Sequence, residues 1–104
     1  MNTNEVLHSI NQVDCLMMKY TKNITDVIKS HCPIEFEKSI GIFTNDEYGY
    51  EYIQKVTVNK HGWVILHTDM GKKIPFNSFD WNSVKEFFVR ISDILIDLEN
   101  KMGS

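Results

Sequence analysis

The feature that most constrains the fold of this chain is a repeat of apolar residues near each end. In the first segment they recur at alternating steps of four and three: Val6, Ile10, Val13, Met17, Tyr20, Ile24 and Val27. This period places them along one side of an α-helix. We therefore predict one long helix from Asn4 to about Ser30, capped by Asn2 with Glu5 and ended by Pro33.

The second repeat lies at the other end of the chain. Its apolar residues step by three and four: Trp81, Val84, Phe88, Ile91, Leu95, Leu98 and Met102. Asp80 precedes the repeat and is a favourable N-cap residue. The pattern predicts a long C-terminal helix from Trp81 to about Met102.

Between the two repeats the sequence has the character of β-strands separated by turns. Strand-like segments are Ile34–Phe43, Tyr50–Val58 and Trp63–Thr68, and a shorter one, Lys73–Phe76, is limited to a sheet edge by Pro75. We predict one α+β domain over residues 1–104. It consists of a long N-terminal helix, a three-stranded antiparallel β-meander with room for a short fourth strand, and a long C-terminal helix.

The alternation of side chains predicts which residues share a face of this sheet. In the second strand, one face receives Tyr50, Tyr52, Val56 and Val58. In the third strand, Trp63 and Ile65 point to the opposite side from Val64 and Leu66, and Ile53 is expected to join them. A sheet covered by helices on one face normally has a polar second face. An apolar second face predicts either helices on both sides or contact with another molecule.

Helix length leads to a prediction about assembly. A helix of 27 residues is about 40 Å long, whereas a six-residue strand spans only about 20 Å. The sheet would then leave part of the apolar stripe uncovered. Val89 and Ile96 are two further apolar residues, seven positions apart on the polar side of the C-terminal helix. We therefore predict a homodimer.

Composition and the absence of known motifs limit the classes of function. With 11 Lys+Arg and 14 Asp+Glu the formal net charge is −3. The N-terminal sequence lacks the pattern of a signal peptide, and a cytoplasmic protein is expected. Cys15 and Cys32 fit no common zinc pattern, and no two histidines have the HxxxH spacing. No nucleophile or phosphate-loop motif occurs either, so we expect no metal, no cofactor and no enzymatic activity.

The first functional hypothesis is a small acidic protein-binding module that occupies the surface of a partner. Antitoxins, immunity proteins, secretion chaperones and phage-encoded inhibitors share its small size and acidity. The predicted contact residues are aromatic or aliphatic: Trp63, Ile65, Val89, Ile96, Tyr48, Tyr50 and Tyr52.

The second hypothesis is association with nucleic acid. Residues 52–79 are basic within an acidic chain, and their lysines are Lys55, Lys60, Lys72 and Lys73. Lysines that bind phosphates, with Trp63 stacking on a base, would explain this bias. Lysines that keep a sheet edge solvated would explain it equally. The order helix–three strands–helix, with the hairpin of residues 55–59 followed by Gly62, resembles that of YbaB-type nucleoid proteins. That resemblance implies a nucleic-acid-associated dimer.

Overall fold

The computed structural model describes residues 2–10 and 17–102. Within these residues the chain forms eight elements in sequence. They are α1 (Thr3–Ile10), α2 (Met17–His31), β1 (Ile34–Phe43), β2 (Tyr50–Val58), β3 (Val64–Thr68), β4 (Lys73–Pro75), a 3-10 turn (Phe76–Ser78) and α3 (Trp81–Met102). The α+β class and the long C-terminal helix are confirmed.

The four strands form one antiparallel sheet in the order β1-β2-β3-β4. The predicted short fourth strand is present, and Pro75 lies opposite Ile65 at the sheet edge, where a missing N–H costs no ladder hydrogen bond. The tight turns before and after β3 contain Gly62 and Gly71, whose φ values of 81° and 87° are in the left-handed region. Glycine adopts this region without steric penalty.

The helices cover one face of the sheet, so the molecule has two layers. A single apolar core joins all three helices to the four strands. Phe87 of α3 is fully buried in it, with edge-to-face or tilted contacts to Phe36, Phe76 and Phe79 at centroid distances of 6.4, 5.9 and 6.3 Å. No helix in the described part of the chain is long and apolar enough to cross a membrane.

The N-terminal region differs from the prediction of one long helix. Two shorter helices of eight and fifteen residues are present instead, and α1 packs against both α2 and α3. The backbone N–H and the hydroxyl of Thr3 both donate to Oε1 of Glu99 in α3, at 2.9 and 3.1 Å. Val6 of α1 is fully buried. The two helices thus cover apolar surface within one chain, which removes the length mismatch that predicted a homodimer.

The start of α1 and the end of α2 follow the prediction. Oδ1 of Asn2 accepts a hydrogen bond from the backbone N–H of Glu5 at 2.9 Å, as a capping residue does. Helix α2 ends at His31, two residues before Pro33. Val13 of the predicted stripe and Cys15 lie outside the described residues.

The prediction of which β2 residues share a face was wrong. The register shifts between Ile53 and Lys55 against β3, as in a β-bulge. Ile53 and Val56 both lie fully buried on the covered face, whereas Tyr50 and Tyr52 are exposed on the other. Because one extra residue reverses the alternation of side chains, the tyrosines and Val56 point in opposite directions.

Candidate functional site

The candidate site is the face of the sheet that none of the three described helices covers, here called the open face. Its residues follow from the strand register, since directly paired residues share a face: Glu35, Gly41, Phe43, Tyr50, Tyr52, Lys55, Thr57, Ile65, His67, Lys73 and Pro75. An uncovered antiparallel face is normally polar. Several aromatic and aliphatic side chains make this face an exception.

Three aromatic side chains gather at one end of the open face. Phe43 lies opposite Tyr50 in the register of β1 and β2, and Tyr52 lies opposite Gly41. Phe43, Tyr50 and Tyr52, together called the aromatic patch, are 42%, 59% and 51% exposed. The rings of Tyr50 and Tyr52 meet edge to face, with centroids 5.5 Å apart. This contact holds two large aromatic surfaces next to each other in solvent.

Gly41 of β1 lies directly beneath the side chains of Tyr50 and Tyr52. A Cβ atom at this position would lie 2.5 Å from the Tyr50 hydroxyl oxygen and 2.9 Å from Cε1 of Tyr52. The missing side chain therefore allows both rings to lie across β1. From the helical layer, the Arg90 guanidinium donates a hydrogen bond to the Gly41 carbonyl oxygen.

A second group of residues lies farther along the open face. Lys55 of β2, His67 of β3 and Lys73 of β4 are directly opposite one another in register, and we call them the cationic row. The His67 imidazole shares a hydrogen bond with the Thr57 hydroxyl, with 2.7 Å between Nε2 and Oγ1. Burial lowers the pKa of His67, and the charges of Lys55 and Lys73 lower it further. Glu35 lies opposite Lys55 on the outer strand.

The four lysines predicted as a basic surface do not form one patch. Lys72 donates to Oε1 of Glu51 at 2.9 Å in an ion pair. Lys60 lies in the turn between β2 and β3. Only Lys55 and Lys73 lie on the open face, one on each side of His67.

The remaining predicted contact residues are spread over the molecule. Ile65 is half-buried on the open face, and Trp63 is 55% exposed just before β3. Tyr48 is half-buried against the core. Val89 and Ile96 belong to α3 in the helical layer, where Val89 is exposed and Ile96 half-buried. Tyr50, Tyr52 and Ile65 are thus the predicted residues that the structure brings onto the open face.

The open face also includes Phe43, Gly41, His67 and Thr57, which the sequence reasoning did not select. Counting outward from the hairpin loop would have found Phe43, since Thr44 and Gly49 close that loop with a backbone hydrogen bond of 2.9 Å. The residue before Thr44 must then face the residue after Gly49. The other three depend on the register of bulged strands, for which the sequence has no clear signal.

A separate groove of about 570 Å³ runs between β1 and the C-terminal half of α3. Its apolar lining consists of Phe36, Ile40, Ile94 and Leu98, with charged residues around it. β1 and β2 are out of regular register between Glu35 and Ile40, beside this groove.

The described residues contain no group of three or more His, Cys, Asp or Glu side chains that could hold a metal ion. Burial raises the pKa of the Cys32 thiol to about 11, and its Sγ donates to the carbonyl oxygen of Ile28 at 3.2 Å. The thiolate is the reactive form of cysteine, so this group is a poor nucleophile.

Comparisons with protein families, with curated proteins and with solved structures found no match for this chain. The functional argument therefore depends on the geometry of the open face.

Proposed function

We propose that this protein is a non-enzymatic binding module that holds a partner protein on its open face. The observation that carries the proposal is the aromatic patch. Phe43, Tyr50 and Tyr52 are gathered on an uncovered sheet and keep 42–59% of their surface exposed. Aromatic residues of this kind dominate the energetics of protein interfaces, because they offer a large contact area with few rotatable bonds.

The construction of the patch supports this proposal. The tyrosine rings lie over Gly41 and against each other, so they are placed before any partner arrives. A preorganised anchor loses less side-chain entropy on binding than a mobile one. Both rings also carry a hydroxyl group, which can form hydrogen bonds at the polar rim of an interface while the ring packs in its apolar core.

The chemistry of the open face also indicates what the partner presents. The aromatic patch requires apolar side chains, and Lys55 and Lys73 on the same face are complementary to negative charge. The proposed partner is therefore a protein segment that presents apolar residues beside acidic ones.

Association with single-stranded nucleic acid is the second candidate. One observation favours it, since exposed aromatic rings and two lysines share a sheet face, an arrangement on which bases can stack. Glu35 beside Lys55 and the ion pair between Lys72 and Glu51 weigh against it, because a phosphate backbone needs a continuous positive track. Salt-sensitive retention on a single-stranded DNA column at physiological ionic strength would support this candidate over a protein partner.

Homodimerisation is a separate prediction that the open-face proposal does not require. Helix length no longer motivates it, and its remaining support is the aromatic patch together with the exposed Val89 of α3. Light scattering at high protein concentration tests it: a species of 12.2 kDa would refute a dimer, and twice that mass would support one.

Affinity capture with matched variants tests the proposed function. Tyr50→Ser/Tyr52→Ser removes most of the patch, whereas Val89→Ser removes an exposed apolar side chain from the helical layer. Proteins captured from source-cell extracts are identified and their binding to each variant is then measured with purified components. We expect the tyrosine variant to lose more than about tenfold in affinity, with Val89→Ser equal to wild type. Equal affinity of the tyrosine variant and wild type would refute the proposal.

A further inference from the structure

We infer that the cationic row of Lys55, His67 and Lys73 is an anion site that receives a carboxylate side chain of the partner protein. This inference rests on the proposed function and adds to it the chemistry of one partner group.

The strand register creates the site. Neighbouring strands are about 4.8 Å apart, so Lys55 and Lys73 start about 9.6 Å from each other with His67 between them. A lysine carries its ammonium group on a flexible four-carbon stem. Both ammonium groups can therefore reach a single anion that lies above the imidazole.

Neither lysine of the cationic row forms an ion pair with a described residue. In the part of the chain that the structure describes, neither Lys55 nor Lys73 has a carboxylate within 4.0 Å. Lys72, next in sequence to Lys73, shows the opposite arrangement, since it is paired with Glu51 at 2.9 Å. Two unpaired ammonium groups beside one imidazole form a local excess of positive charge, which an anion would stabilise.

The boundaries of the row favour a carboxylate of a protein over the backbone of a nucleic acid. Glu35 lies opposite Lys55 and closes the row on the β1 side, and β4 is the last strand on the other side. The site therefore accepts one or two negative charges and does not continue as a track. Tyr52 is three residues from Lys55 on β2, so an acidic residue here would lie close to an apolar residue on the aromatic patch.

His67 makes occupation of the site measurable. The groups that face its imidazole are Lys55 from β2, Lys73 from β4 and the Thr57 hydroxyl, with Glu35 beyond Lys55. The helices lie on the other face of the sheet. A carboxylate between the lysines would favour the protonated imidazole, so binding must raise the pKa of His67. By linkage, binding must also become tighter as the pH falls through that pKa.

The experiment is an NMR titration of the His67 imidazole with defined probes. One probe is a blocked hexapeptide with two adjacent glutamates beside two leucines, and its control has glutamines in place of the glutamates. We expect the glutamate peptide, at millimolar concentration, to raise the His67 pKa by about 1 unit and to shift the signals of Lys55 and Lys73. The glutamine peptide should leave the His67 pKa unchanged.

The double variant Lys55→Met/Lys73→Met provides the internal check. Without peptide, its His67 pKa should lie above the wild-type value, because two positive charges have been removed from beside the imidazole. With the glutamate peptide, no further change is expected. An unchanged His67 pKa in wild type at saturating glutamate peptide would overturn the inference, as would a larger shift with a deoxythymidine octamer.

Failure of the inference can be distinguished from failure of the proposed function. If the carboxylate site is wrong but the open face binds the partner, Lys55→Met/Lys73→Met will bind the captured protein as tightly as wild type, and only the tyrosine variant will lose affinity. If the inference is correct, the lysine variant will lose affinity for the captured protein and most of the salt dependence of that binding.

Discussion

Substitution of Gly41 by alanine should move the aromatic patch without unfolding the protein. The new Cβ would lie 2.5 Å from the Tyr50 hydroxyl oxygen, whereas ordinary contacts begin at 3.4 Å. The Tyr50 hydroxyl must therefore retreat by about 0.9 Å, and Cε1 of Tyr52, at 2.9 Å, must also move. Both contacts involve the far ends of exposed side chains, which can shift toward solvent.

The expected cost in stability is small because two effects oppose each other. Gly41 is not among the glycines with positive φ, so alanine fits its backbone conformation. Alanine reduces the conformational entropy of the unfolded chain, a stabilisation of about 0.4–1 kcal/mol. Weakening of the tyrosine pair costs about 0.5–1.5 kcal/mol. The free energy of unfolding should thus change by less than about 1 kcal/mol, so Tm should shift by less than roughly 4–8 °C.

Gly71→Ala is the matched control for this experiment. Its φ of 87° disfavours any side chain, yet no atom lies within 4 Å of the added Cβ. It should lower the free energy of unfolding by about 1 kcal/mol or more and leave the patch intact. Thermal unfolding and the ring-proton signals of Tyr50 and Tyr52 report the two effects. Unchanged tyrosine signals in Gly41→Ala would refute the proposed packing, and unchanged affinity for the partner despite moved rings would refute the role of the patch.

Three further predictions concern the framework that supports the open face. Phe87→Ala should lower the free energy of unfolding by about 3–5 kcal/mol, because a cavity replaces a fully buried ring; denaturant unfolding measures it, and a loss below about 2 kcal/mol would contradict the central place of that ring. Glu99→Ala should cost about 1–3 kcal/mol and speed amide exchange in α1, since both hydrogen bonds from Thr3 are lost; exchange unchanged in α1 would show that other contacts hold it. The raised pKa of Cys32 means that the stabilisation from its protonated thiol is complete below the ordinary pKa of 9.0 and is lost as the pH rises through about 11. In a Cys15→Ser background, iodoacetamide should therefore react more slowly with the folded than with the denatured chain. Equal rates would refute the raised pKa.

The parts of the fold that the sequence predicts well are those where a pattern continues without interruption. The α3 repeat keeps its period from Trp81 to Met102, and Asp80 precedes it, so both ends of the helix were recognisable. In the turns before and after β3, Gly62 and Gly71 occupy positive φ, a conformation that favours glycine.

The N-terminal helix shows what a periodic pattern leaves open. A heptad repeat predicts which side of a helix is apolar, but it does not predict that the helix is continuous. Two shorter helices are present, which pack on each other and on α3, and they bury Val6, Ile24 and Val27 of the predicted stripe. The contact between Thr3 and Glu99 joins residues 96 positions apart, and no local rule could have predicted it.

The residues of the open face could not be predicted because the register of the strands is irregular. At Gln54 and Lys55, beside the register shift in β2, no glycine or proline marks the bulge, so strict alternation places Tyr50 and Tyr52 on the same face as Val56. The shift decides that the tyrosines face solvent. It also sets Lys55 opposite His67, which makes the cationic row a property of tertiary register and not of sequence spacing.

The most direct test of binding through the open face is photo-crosslinking from single positions in the source cells. A benzoylphenylalanine in place of Tyr52 lies on the open face, and one in place of Val89 lies on the helical layer with similar exposure. We predict a light-dependent, nuclease-resistant protein adduct from position 52 and none from position 89. An adduct from position 89 alone, or a nuclease-sensitive adduct from position 52, would contradict the claim that this protein binds a protein partner through the open face.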